Sequence, residues 1–200
     1  MSLTDESRDR AFHLELASSR GISLTATEAK VAAELDRFGA EGELANAFAA
    51  GALSRDLLTH LVPEAWRYRT DNSTVPDEVF REMFLAARFT QDFEVAPRPR
   101  RAVLAFRGAS PRGREGIAWT LDLDQAQYFA RARHGQTATI WVCRIPADRI
   151  LARYVRMSSE NEVTADVRGL EITELTRLTP RQRLMVITRK ALSQRSRARR

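Results

Sequence analysis

An α+β fold follows from three features of this 200-residue chain. Apolar residues recur at helical spacing through 1–95, which predicts a helical N-terminal lobe. Short apolar and alternating runs fill 96–178, which predicts a small strand-rich core. The switch comes at Pro97 and Pro99, where a helix would break, and a basic C-terminal helix or tail, 179–200, follows the core.

The helical lobe opens its first clear helix at Thr25-Ala-Thr-Glu28, a capping-box spacing, with Leu24 set as the hydrophobic staple. Val31, Leu35 and Phe38 continue the stripe, and Gly39 is the expected stop. Two short helices are expected over 43–50 and 55–61, with another turn or two over 63–69. Pro76 suits a helix first turn, after which Val79, Phe80, Met83, Phe84 and Ala87 make one apolar face.

In the second half, Ala102–Phe106 reads as a buried strand and Gly108–Gly116 as a loop. Ile117–Leu121 is a second strand, and Asp122–Arg133 a helix with Ala126, Phe129 and Ala130 inward. Thr137–Ile145 alternates as a strand, and 150–155, 162–167 and 170–175 are three more. Thr179-Pro180 fits the start of a basic C-terminal helix.

Charge sharpens this division. The net is +6, and only Lys30 and Lys190 among 32 basic residues are lysine. Residues 181–200 hold eight basic groups and no acidic one, so the rest of the chain carries −2. The basic end, with Arg195, Arg197, Arg199 and Arg200 as its candidate phosphate contacts, suits a nucleic acid, DNA or RNA. No apolar run reaches the length of a membrane span, and the polar start MSLTDESRDR has no signal-peptide core. A cytoplasmic protein is the expectation. His13, His60 and His134 share no ligand spacing, and a lone Cys143 sits in an apolar strand, so no metal is expected.

Three short pieces could carry chemistry. Arg107-Gly108 ends a buried strand, where an arginine can hold a phosphate or carboxylate and a glycine lets a ligand approach the backbone. An exposed strand-end arginine is the plainer alternative. Trp119-Thr120-Leu-Asp122 ends the next strand, where a hydroxyl can orient a charged neighbour, or either Thr120 or Asp122 can simply cap the helix. Glu160-Asn161-Glu162 would bring two carboxylates to one strand face, raising the pKa of one, unless they are a solvated edge.

Taken in order, AVLAFRG (102–108), GIAWTLDLDQAQYFA (116–130) and ENEV (160–163) resemble the ADP-ribosyltransferase fold of the toxin-like Arg-Ser/Thr-Glu class. The run also looks like that of a set of phage and actinobacterial proteins. The resemblance spans about 70 residues, and it departs from the class in offering Thr120 alone where Ser-Thr-Ser is frequent. It implies a split-β-sheet core with NAD bound between the sheets. Arg107 would grip a phosphate of NAD, Gly108 would meet the nicotinamide carboxamide, and Thr120 would orient the catalytic carboxylate. Glu162 would bind the nicotinamide ribose and stabilise an oxocarbenium-like transition state, and Glu160 would position or deprotonate the acceptor. Trp119 and Phe129 would flank the cofactor. The implied activity is transfer of ADP-ribose from NAD to a macromolecular acceptor, protein or nucleic acid. The alternatives are an NAD glycohydrolase and a non-catalytic nucleic-acid or partner-binding module on a degenerate scaffold.

Overall fold

Glu28 shows how the first half is tied together. In the computed structural model, which describes residues 13–34, 40–69, 73–134, 139–156, 161–178 and 186, the capping box closes at Thr25. The Thr25 N–H donates to Glu28 Oε2 at 2.9 Å, and the Glu28 N–H donates to Thr25 Oγ1 at 3.2 Å. The second Glu28 oxygen accepts from the Ser54 N–H at 2.7 Å, which joins this helix start to a later one. Burial alone raises this carboxyl's pKa, but the hydrogen bonds from Ser54 and Thr25 outweigh it and hold the group at about 2 against an ordinary 4.5. The folded value lies below the unfolded one, so the stabilisation is complete above pH 4.5 and disappears as pH falls toward 2. Glu28→Gln should cost about 1–3 kcal/mol at neutral pH. Urea titrations should find that cost shrinking between pH 4.5 and 2.

The chain divides into two units, residues 1–97 and 98–200. The first contains a helical segment, 13–19 (α1), then α2 (Ala26–Glu34), α3 (Ala40–Ala49), α4 (Arg55–Tyr68) and α5 (Asp77–Ala86). Ser54 caps α4 by accepting the Leu57 N–H. The expected break before Pro63 does not occur: α4 runs through the proline as one 14-residue helix. Its residues 57–65 are buried, and packing on both sides outweighs the missing N–H. Phe80 and Phe84 of α5 meet the Trp66 ring edge-on at 5.1 and 6.2 Å, and Phe80, Met83, Phe84 and Ala87 are buried as the stripe requires. The unit closes on a hairpin, β1 (Thr90–Gln91) and β2 (Glu94–Val95), whose turn residues Asp92 and Phe93 both take positive φ.

The second unit contains β3 (Val103–Ala109), β4 (Ala118–Thr120), α6 (Leu123–His134), β5 (Thr139–Ile145), β6 (Ile150–Tyr154), β7 (Glu162–Ala165) and β8 (Ile172–Glu174). Both helices and strands are thus present, an α+β composition. The six strands follow the order β6-β7-β4-β3-β5-β8. The pairings β6–β7, β7–β4, β4–β3, β3–β5 and β5–β8 are antiparallel. The joints differ greatly in length. Seven residue pairs bind β3 to β5, but a single pair, Phe106↔Thr120, binds β3 to β4. The order is continuous, yet it narrows to one rung between the β6-β7-β4 and β3-β5-β8 halves.

One face of β3 is covered by α6. Phe106, Ala126, Val142, Leu178 and Val186 form a buried cluster there. Val186 lies within the segment expected to be a basic helix or tail, and this residue is part of the core of the unit. The rest of 179–200, including Arg195, Arg197, Arg199 and Arg200, lies outside the described residues. No described helix is long and apolar enough to cross a membrane.

Candidate functional site

The narrow rung between β3 and β4 is where the sequence-predicted residues gather. Thr120 ends β4 and Glu162 begins β7, and the two are directly opposed across the antiparallel pair. Extending the register gives one row across all six strands: Tyr154, Glu162, Thr120, Phe106, Val142 and Thr173. Directly opposed residues share a face with Cβ atoms about 4.5–5.5 Å apart. Glu162 therefore stands between Tyr154 and Thr120, half-buried, with both neighbours buried.

The local chain explains why Thr120 is held so firmly. Its Oγ1 accepts the Asp122 N–H at 3.0 Å, and the buried Asp122 carboxylate accepts the Asp124 N–H at 2.9 Å. Asp122 is thus the N-cap of α6, and Thr120 supports the turn into it. At the same end of the strand, the Leu121 N–H donates to the Asn161 carbonyl at 3.0 Å, and at the other end the Ala165 N–H donates to Ile117 O at 2.9 Å. These bonds bracket the β4–β7 pair and fix Thr120 opposite Glu162.

Arg107 and Gly108 separate at this point. Gly108 lies on the same face as Phe106, directly beneath α6. A Cβ added there would sit 2.2 Å from the Ala126 carbonyl oxygen and 2.6 Å from the Ala130 nitrogen. Its lack of a side chain is what lets the helix approach the strand. Arg107 is one residue on and turns to the opposite face. There its Nε donates to Gly113 O at 2.8 Å and its Nη1 to Ala118 O at 2.5 Å. The guanidinium clamps the loop between β3 and β4, and Gly116 passes so close that a Cβ would meet Nη2 at 2.2 Å.

Trp119 shares that opposite face, fully buried, and its Nε1 donates to Gly116 O at 2.8 Å. The structure therefore brings Thr120 and Glu162 together with Gly108 nearby on the same face. It turns Arg107 and Trp119 to the other face, where both brace the loop that delivers β4. Phe129 is half-buried on α6 with its ring edge-on to Tyr128, while Ala126 and Ala130 face the strand. Glu160 lies outside the described residues.

Tyr154 and Asn161 are the residues that sequence reasoning missed. Tyr154 sits on a strand that the sequence shows clearly, but its position beside Glu162 depends on a register the sequence does not state. Asn161 was visible as the amide between two glutamates, and its left-handed backbone, φ 48°, emerges only in three dimensions. Among the described residues no group of three or more His, Cys, Asp or Glu could hold a metal ion. Cys143 is buried, and burial first, with Glu171 second, pushes its thiol up to about 11. No protein-family model matches this chain, and neither does any curated protein or solved structure.

Proposed function

We propose that the second unit is an ADP-ribosyltransferase core of the split-sheet kind, transferring ADP-ribose from NAD to a macromolecular acceptor in the cytoplasm. The observation that carries this reading is the opposition of Thr120 and Glu162 at the one-rung joint between the two halves of the strand order. A ligand seated along that joint would meet a fixed carboxylate with a hydroxyl-bearing residue on either side.

The chemistry suits that arrangement. The bond between the nicotinamide nitrogen and ribose C1′ breaks, its electron pair leaves with neutral nicotinamide, and positive charge builds on the ribose. A preorganised Glu162 carboxylate opposes that charge in a partly dry setting. Thr120 and Tyr154 stand opposite Glu162 on the two neighbouring strands. The acceptor's nucleophile then bonds to C1′ and gives its proton to Glu160, the base in this scheme. Arg107 acts as a positioning residue, through the loop that carries β4, and Gly108 lets α6 close over the strand.

The basic residues at the C-terminal end favour a polyanionic acceptor, DNA or RNA, over a neutral protein surface. Incubation with NAD carrying label on the adenylate, in the presence of DNA, RNA or lysate protein, tests the assignment. Nicotinamide release with label on nucleic acid supports the full reading, and release without transfer identifies a glycohydrolase. A chain that neither binds nor cleaves NAD is a binding module instead. A truncation aimed at the charge should begin after Val186, because that residue belongs to the core.

A further inference from the structure

We infer that Asn161 is a substrate-contacting residue whose side-chain Oδ1 accepts a hydrogen bond from the nicotinamide carboxamide N–H; this rests on the ADP-ribosyltransferase reading above. Two independent features single the residue out. Its backbone takes φ 48°, a left-handed conformation that asparagine adopts more readily than most L residues and that glycine would occupy without strain. Its Oδ1 is buried and has no hydrogen-bond partner among the described residues. Folded proteins leave few buried acceptors unmatched, because each one forfeits its bonds to water.

Position turns these features into a site. The Asn161 carbonyl accepts the Leu121 N–H, which pins the residue to the end of β4, one residue beyond Thr120. The next residue in the chain is Glu162, opposed to Thr120. The unmatched amide oxygen therefore belongs to a residue whose backbone is fixed immediately before the carboxylate assigned to the reacting ribose. The nicotinamide riboside end of NAD offers two kinds of donor there, ribose hydroxyls and the carboxamide N–H. The ionised Glu162 is the stronger acceptor and takes a hydroxyl. The neutral Asn161 oxygen is left to the carboxamide.

Asn161→Gly tests this without disturbing the backbone, since glycine accepts the positive φ and only the amide is removed. NAD affinity, read by calorimetry on the full chain, should fall about tenfold, or about 1.4 kcal/mol. The thermal midpoint should hold or rise. The NAD analogue with an acetyl group in place of the carboxamide has no N–H to donate, so the variant and the parent chain should bind it alike. Equal affinity of the two proteins for NAD would overturn the inference alone, as would an undiminished loss with the acetyl analogue. Absence of NAD binding by the parent chain would overturn both this inference and the reading it rests on.

Discussion

Gly108→Ala should destabilise the second unit by about 3 kcal/mol, the upper end of what overpacking a tight interior costs. The added methyl group would lie 2.2 Å from the Ala126 carbonyl oxygen and 2.6 Å from the Ala130 nitrogen, both backbone atoms of α6. No rotamer change can relieve contacts with a helix backbone, so α6 must lift from β3. Lifting it opens the cluster of Phe106, Ala126, Val142, Leu178 and Val186. It also shifts the Asp122 cap and, through it, Thr120. Guanidinium titration should place the variant's midpoint well below the parent's. A midpoint unchanged within error would mean that α6 does not rest on Gly108 as described. Gly113, where an added Cβ would meet side chains no nearer than 3.5 Å, is the matched control.

Glu162→Gln should slow nicotinamide release about 10²–10³-fold, the scale on which losing one preorganised charge acts on a transition state. The substitution keeps the shape, removes the charge and exchanges one of the two acceptor oxygens for an amide donor. Because the carboxylate's stabilising effect grows as the ribose becomes cationic, the loss should fall on kcat more than on KM. Glu162 is half-buried at the start of β7, so the variant should melt within a degree or two of the parent. A KM effect with kcat unchanged would recast Glu162 as a ground-state binding residue. Steady-state nicotinamide assays across NAD concentrations separate the two.

Much of the architecture was legible because its signals are local. AVLAF and TIWVCRI announce β3 and β5, Thr25 and Glu28 announce α2, and the spacing from Phe80 to Ala87 announces α5. One local signal misled and another was missing. Pro63 pointed to a break, but burial along 57–65 carries α4 through it. The β1–β2 turn has Asp92 and Phe93 where glycine or asparagine is the usual cue, so the hairpin left no mark.

The candidate site was legible only in part. Thr120 and Glu162 stand out within their own motifs, but their opposition depends on pairing residues 42 positions apart. The same register turns Arg107 to the other face, an outcome fixed by one rung, Phe106↔Thr120, and by strand alternation. Gly108 illustrates the limit well. A glycine at a strand end suggests room for a ligand, and only the position of α6 shows that a helix uses that room. The basic end was plain from composition, whereas the burial of Val186 within it was not.

The most direct measurement of the central claim is the initial rate of nicotinamide release from NAD by the parent chain, compared with an equally folded Glu162→Gln variant. The account predicts steady release by the parent chain beyond one equivalent, accelerated by a suitable acceptor, and a rate at least about 100-fold lower for the variant. No release by the parent chain with DNA, RNA or protein present, or equal release by the two proteins, would contradict it.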